Sequence, residues 1–548
     1  MFSNMGLEAL SPGQVTFFVA YAWSLSLWIF SEYLNRSKKL LTSGDYDPVE
    51  ASDTEAGKAK AETALHNEQA SNCSTNTDHS KQNPSKTGHL TLEDAWNSGL
   101  VRCMLFDLDA IQRERATLKA MSEFGTLMAW YFVCDRTPLL GEAGKSYNRD
   151  TFFFIFVVLT SVAFGSSLQT IKAPALLNRP QTEEWKGWMQ VLFLLYHYFE
   201  AREIYNAIRI FIAGYVWMTG YGNFHYYYKT NDYCIGRFSQ MMWRLNFLVF
   251  FACLVLRNSY MLYYICPMHT IFTVLVYGCL AIAPQYNQSN AVIFIKMLLC
   301  VAFVVLCWDI KPVFYALWKP FTWLVGYVDP RKPSDDVLYE WYFRSSLDRY
   351  VWIYGMLCAW IHPHVSSAFN FMDNLPPARK FIVRGAVLSV TTVISYFWYT
   401  LVYCLPKLEY NQLHPYTSWI PISLFIIYRN FFPTFRLHHL RLYGWLGCIT
   451  LETYIGQFHI WLKTTLPDGQ PKAVLSLVPG YPLINFALCS AGYVFVSHRL
   501  FNLTNTLKSA AVPHSNNSLL LRNVILMTVI GLGLYFTCFG VMAMFVYP

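Results

Sequence analysis

Lys186 and His197 stand eleven residues apart in Glu184-Trp185-Lys186-Gly187-Trp188-Met189-Gln190-Val191-Leu192-Phe193-Leu194-Leu195-Tyr196-His197-Tyr198-Phe199, a largely apolar run. At a helical rise of about 1.5 Å per residue, His197 lies about 16 Å beyond Lys186. That depth is near the midplane of a hydrocarbon core about 30 Å thick. A titratable imidazole in such a place is costly and marks a substrate path, a proton relay or a catalytic site. Burial favours the neutral ring, which can take an acyl group as a nucleophile or act as base for an incoming hydroxyl. Glu203, or Glu200 at the i+3 position, would orient the ring or take its proton. Arg202 and Arg209 would hold a phosphate or balance those carboxylates. The plainer reading makes these four charges a solvated, paired helix end and His197 a core histidine bonded to a neighbouring helix.

Other residues of the right type are scattered along the chain. His269, in Cys266-Pro267-Met268-His269-Thr270, opens an apolar helix, and His459 lies between Gln457 and Trp461 on another. Both are read as walls of the cavity around His197, or equally as packing or interfacial histidines. Arg344, Asp348 and Arg349 form a charged cluster just before the apolar run at Tyr350. They suit phosphate binding or, more plainly, a helix end at the interface. No pair of histidines has the spacing of a zinc site, so no metal is expected. Asp107-Leu108-Asp109 has the Asp-x-Asp pattern that glycosyltransferases use for a metal and a nucleotide sugar, but its surroundings read as a helix surface.

The elements that carry these residues belong in a membrane. Of the 548 residues 54% are hydrophobic and only 14% are charged, where a soluble domain has about 25% charged. The net charge of +8 falls at the ends of apolar runs, as the positive-inside rule requires, and calls for no nucleic acid. Six of the cysteines lie inside apolar runs and read as packing residues. Residues 1–34 are expected to form a signal-anchor helix with its N-terminus outside the cytosol, because Arg36, Lys38 and Lys39 follow the apolar run and no basic residue precedes it. Residues 35–115 are expected to form a disordered cytosolic loop, rich in polar residues, that ends in an interfacial segment. Residues 116–548 then form one multi-pass domain. The fold class is all-α, a polytopic transmembrane bundle of about ten to fourteen helices. Counting crossings, the helix with Lys186 starts on the cytosolic face. Three glycosylation sequons begin at Asn287, Asn502 and Asn516.

The Lys186-to-His197 helix resembles the first helix of the membrane acyltransferase-3 superfamily, where Arg-Gly is followed by a His eleven residues later. Here Lys keeps the point charge without the bidentate fork. Leu446-Gly447-Cys448-Ile449-Thr450, followed by Tyr454 and His459, is similar to a second helix of that superfamily, with a longer Tyr-to-His spacing. A closer resemblance, to the plant reduced-wall-acetylation proteins and to fungal capsule and animal sialic-acid O-acetyltransferases, runs through several stretches. They include Cys134-Asp135-Arg136-Thr137, Asn178-Arg179-Pro180-Gln181-Thr182-Glu183-Glu184 and Phe343-Arg344-Ser345-Ser346-Leu347-Asp348-Arg349-Tyr350. His414-Pro415-Tyr416-Thr417-Ser418-Trp419 and Ser497-His498-Arg499-Leu500-Phe501 complete them.

The resemblance implies an acyltransferase-3-like core and an acetyl-CoA-dependent O-acetyltransferase. It places the protein in the Golgi membrane, or the endoplasmic reticulum, acting in acetylation of cell-wall polysaccharides such as xylan and pectin. Together with the residue reading above, this gives His197, Glu203 and His459 as the expected catalytic residues, and Lys186, Arg202, Arg209, His269 and Arg344 as those expected to hold the acetyl-CoA. The animal members carry a luminal esterase-like domain with a Gly-Asp-Ser nucleophile. The Gly-Asp of this chain, Gly44-Asp45, is followed by Tyr46, so luminal trichome-birefringence-like transferases are implied as partners. Two other functions remain open, a transporter of the intact donor and a non-catalytic scaffold. A transporter calls for repeats with broken helices in matching halves, which the sequence does not display. A scaffold has no need of an intramembrane His197.

Overall fold

Asn178 accepts a hydrogen bond from the Gln181 amide and Pro180 fixes the first turn, so the helix with Lys186 starts at Arg179 and runs to Phe199. The apolar run begins at Trp185, but the polar residues before it continue the helix because they have partners. Gln181 donates to the Arg436 carbonyl at 3.1 Å, and Glu184 accepts from Arg429 at 3.2 Å and from the Leu440 amide at 2.9 Å. Lys186 is therefore two turns inside the helix, not at its mouth.

The computed structural model describes residues 10–43, 98–173, 175–329, 332–464, 469–471, 473, 476–513 and 516–546. The expected disordered loop falls largely on residues 44–97, which lie outside the described residues, as does Gly44-Asp45-Tyr46. The multi-pass, all-α architecture is as expected. Six of the described helices are long and apolar enough to cross a membrane: Pro12–Lys39, Arg149–Ser167, Ile235–Leu256, Asn290–Asp309, Pro377–Tyr403 and Asn517–Met544. Between them run Arg115–Arg136, Arg179–Phe199, Tyr205–Thr230, Ile265–Ala281, Val351–Asp373 and Pro482–Ala511.

Three local expectations change. The first helix continues to Ser43, past the end expected at residue 34. The interfacial segment folds as two short helices, Gly99–Met104 and Leu108–Arg113, whose Cys103, Ala110 and Ile111 pack on Leu27 of the first helix. The apolar run at 313–325 is no span. Pro320 interrupts it, leaving the short helices Lys311–Trp318 and Thr322–Val325, because proline removes a backbone donor and clashes with the preceding turn.

Two strand pairs mark the ends of the bundle. Leu168–Thr170 pairs antiparallel with His438–Leu440, and Ala143–Gly144 with Gly469–Gln470. The Arg149–Ser167 helix of 19 residues lies between them, a separation of about 28 Å. The 168–170 pair defines a lower end and the 143–144 pair an upper end. Gln470 donates to the Tyr198 carbonyl at 3.0 Å, which fixes the His197 end of its helix at the upper end.

Helix packing rests on glycines that let backbones touch. A Cβ on Gly187 would stand 1.8 Å from the Tyr443 carbonyl oxygen, and one on Gly447 would stand 2.0 Å from that of Glu183. The Arg179–Phe199 and Arg441–Cys448 helices thus cross backbone to backbone. Gly220 and Gly355 make a second reciprocal crossing, at 2.0 Å from the Trp352 oxygen and 2.3 Å from that of Trp217. Within a bilayer no hydrophobic force draws helices together, and such close packing supplies the association instead. Trp185 and Trp217, with ring centroids 6.0 Å apart, join the two crossings. Gly187→Ala and Gly447→Ala are each expected to cost about 2 kcal/mol or more. Gly444→Ala, where a Cβ meets nothing within 4 Å, is expected to be neutral or mildly stabilising. Thermal unfolding of the three variants in detergent checks this, and equal behaviour at all three positions contradicts the crossing.

Candidate functional site

His197 occupies the last turn of its helix, which ends where Glu200 adopts a left-handed φ of 56°. Its half-buried ring packs edge-on against Phe193 at 4.7 Å, Tyr196 at 5.0 Å and Phe458 at 6.0 Å between centroids. It makes no hydrogen bond among the described residues, so the plain reading of a bonded core histidine does not describe it. Lys145, Arg344 and Arg209, two of them expected donor-binding residues, supply positive charge in the neighbourhood of the ring. The expected midplane depth is corrected. Glu200 pairs with Arg202, whose side chain is 83% exposed, three residues or about 4.5 Å along the axis from His197. His197 therefore lies beneath the polar rim of the upper end.

Two expected partners face elsewhere. Glu203 accepts from the Tyr147 hydroxyl at 2.5 Å and pairs with Arg149 at 3.4 Å, so its carboxylate serves the 143–149 loop and does not bond His197. Arg202 is turned to Glu200 and solvent. Lys186 pairs with Glu183 at 2.6 Å, and the Tyr215 hydroxyl donates to its carbonyl at 2.6 Å.

His459 is held very differently. It lies on a π-helical turn, Gln457–Trp461, a form common at functional sites, and is completely buried. Its Nδ1 is 3.0 Å from Asp135 Oδ2 and its Nε2 is 2.6 Å from the Tyr263 hydroxyl. Asp135, 1% exposed, also accepts from the Thr464 amide and hydroxyl, each at 2.6 Å. A carboxylate on Nδ1 fixes the tautomer with Nδ1–H, leaving Nε2 to accept from Tyr263. The result is a buried Asp135–His459–Tyr263 relay. Phe458 connects it to His197, since its ring is 6.0 Å from both Tyr263 and His197.

A second buried pair lies in the same end. His414 places Nε2 3.4 Å from Asp348 Oδ1 and Nδ1 3.0 Å from the Tyr410 hydroxyl. His269 bonds Thr219 at 2.7 Å and feels the Asp348 charge. Arg209, 2% exposed, bonds Tyr205 at 3.1 Å. Its Nη1, like Asp348 Oδ2, has no hydrogen-bond partner among the described residues. A buried donor and acceptor left open this way suit a polar ligand group. Arg344 stacks over Tyr264 at 4.5 Å and pairs with Glu340 at 3.2 Å. Arg349 is occupied by Asp309 and Tyr416.

The upper end thus gathers His197, His459, Arg209 and Arg344, while Glu203 and Arg202 turn away from the imidazoles, and His269, bonded to Thr219 beside the Gly220 crossing, lies deeper, near the level of Lys186. Asp135, Tyr263 and His414 went unrecognised as functional candidates. Asp135 closes an apolar helix and was indistinguishable from an end charge, and Tyr263 is separated from His459 by 196 positions. Asp107 caps the Leu108–Arg113 helix and pairs with Arg102. Burial opposes its charge, but hydrogen bonds from Ala110, Arg102 and Asp109 outweigh it and hold the carboxyl below its ordinary range. Among the described residues no group of three His, Cys, Asp or Glu could hold a metal. Asn287, 1% exposed, donates to Tyr233 and to the Leu280 carbonyl, so this sequon leaves no room for a glycan.

The fold is a multi-pass helical bundle that gathers imidazoles and cations toward one end, and comparison with known proteins gives its kind. The chain matches the 10 TM acyl transferase domain found in Cas1p over residues 58–525 and belongs to that family. It is 30% identical over 424 residues to the N-acetylneuraminate (7)9-O-acetyltransferase of Danio rerio, covering 74% of this chain and 52% of the relative. The chain spans about half the length of this curated relative. No solved structure matches it.

The two histidines are expected to respond differently to Phe. His197→Phe, which breaks no hydrogen bond, should leave thermal stability within about 1 kcal/mol of wild type. His459→Phe strands buried Asp135 and should cost about 3 kcal/mol. Detergent unfolding of both variants measures this, and an equal loss contradicts the assignment.

Proposed function

We propose that the protein is an O-acetyltransferase of the reduced-wall-acetylation type. It takes acetyl from cytosolic acetyl-CoA and supplies it across the Golgi membrane for O-acetylation of cell-wall polysaccharides, through luminal trichome-birefringence-like transferases. In this reading the lower end faces the cytosol and the upper end the lumen, following the basic residues after the first helix.

The observation that carries the proposal is the pairing of an open imidazole, His197, with the buried Asp135–His459–Tyr263 relay beside it, in a chain of an acyl transferase family. His197 attacks the thioester carbonyl through a free ring nitrogen. The carbon–sulfur bond breaks, CoA leaves as thiolate, and the acetyl group is held on the ring. Arg209 and Arg344 offer positive charge to the developing oxyanion. The acceptor hydroxyl then displaces Tyr263 at His459 Nε2, loses its proton to that nitrogen and takes the acetyl group, and Asp135 stabilises the imidazolium. Glu203 has no part in these steps.

Acetyl-CoA labelled separately in the acetyl and CoA parts, offered to protein in sealed proteoliposomes, tests the proposal. Wild type should release CoA outside while acetyl appears on the protein or inside. His197→Ala should abolish both, and His459→Ala should slow transfer by about 10²–10⁴-fold, the usual contribution of a general base. Entry of both labels together, unchanged in His197→Ala, would make the protein a donor transporter and sink the proposal.

A further inference from the structure

At the lower end a cleft of about 470 Å³ opens between the start of the Pro377–Trp398 helix and the Pro433–Leu437 turn, lined by Asp373, Lys380, Arg384, Phe432 and Phe435. Arg384 Nη2 donates to Asp373 Oδ1 at 2.8 Å, and Arg436 Nη2 donates to Oδ2 of the same carboxylate. The half-buried Lys380 side chain, one turn before Arg384, makes no ion pair or hydrogen bond among the described residues. Two guanidinium groups thus share one carboxylate, with the Lys380 ammonium in the same cleft. Arg436 is 2% exposed, and the Nε atoms of both arginines have no hydrogen-bond partner among the described residues.

Such an excess of partly buried positive charge is unfavourable unless an anion completes it. The Arg384 guanidinium and the Lys380 ammonium, which line the cleft with the buried Arg436 behind Asp373, suit the oxygens of a phosphate. Arg384 lies over the Phe432 ring at 5.2 Å, which holds its fork toward the cleft. Phe381 and Ile382 beside it are 81% and 67% exposed, as expected at an apolar boundary. Asn178 and Gln181 both donate to the Arg436 carbonyl, at 3.4 and 3.1 Å, tying the cleft to the start of the helix that ends in His197.

We propose that this cleft binds a phosphate-bearing ligand, either the phosphorylated nucleotide half of CoA or the headgroup of an anionic phospholipid. The nucleotide arm rests on the acetyl-CoA reading given above; the lipid arm does not.

Full-length protein in neutral detergent would be titrated with adenosine 3′,5′-bisphosphate and, separately, with phosphatidylinositol in phosphatidylcholine bicelles. Wild type should bind one of the two probes. Lys380→Gln should weaken it about tenfold, the scale of one charge-assisted contact, and Lys380→Arg should restore it. Loss confined to the nucleotide assigns the cleft to CoA, and loss confined to the lipid assigns it to the membrane. Binding of neither probe, or unchanged binding in Lys380→Gln, overturns the proposal. Acetyl-CoA turnover by the same wild-type preparation is scored in parallel. Turnover without probe binding removes the cleft alone, and lipid binding without turnover removes the donor reading alone.

Discussion

The backbone contact between Gly187 and Tyr443, returned by Gly447 against Glu183, is the constraint from which the geometry of the site follows. Two helices that touch through carbonyls cannot slide or rotate against each other without a clash, so their facing residues are set along their whole length. Above the crossing, past the break at Ile449, the Arg179–Phe199 helix meets the next element, the helix Thr450–Gly456 and the turn Gln457–Trp461. Gln190 donates to the Thr450 carbonyl and the Thr453 hydroxyl at 3.2 and 3.1 Å. Phe193 then meets Tyr454 at 5.9 Å, and His197 meets Phe458 at 6.0 Å. Positions 187, 190, 193 and 197 recur at helical spacing on one face. The azimuth of His197 is thereby decided ten residues below it, at a glycine.

The second crossing does the same for the other half of the site. Gly220 and Gly355 clamp the Tyr205–Thr230 helix to Val351–Asp373, and Arg209 lies on the upper part of the first of these. The Asp348–His414 pair is reached from the loop that enters the second. Aromatic contacts between Trp185, Trp217 and Phe425 close the space between the clamps. Cations, carboxylates and imidazoles can be buried together there because each crossing is too rigid to let them drift into lipid, where an unpaired charge is costly.

The bundle was legible in composition, because long apolar runs have few alternatives in a chain with so few charges. Lys186 and His197 were legible as a pair, but the depth assigned to them was not. That inference equated the edge of the apolar run with the edge of the helix, and Gln181, Glu184 and Asn178 extend the helix two turns by bonding to residues about 245–260 positions away. Glu203 looked like a partner for His197 on helical spacing alone. The left-handed residue at Glu200 ends the helix, and past it the spacing argument no longer holds. Asp135 was hidden for the opposite reason, since its role exists only through a contact 324 positions distant.

The placement of His197 at the upper end also bears on what has to move through the protein. Between Lys186 and His197 the helix presents Phe193, Leu194 and Leu195 to the interior, all buried, and the Lys186 charge is already balanced by Glu183. A polyanionic nucleotide drawn up that path would lose its hydration against apolar side chains, at a cost no single lysine offsets. An uncharged acyl group carries a far smaller penalty than those phosphates. Moving an acyl group alone across this path therefore costs less than moving a whole phosphorylated donor.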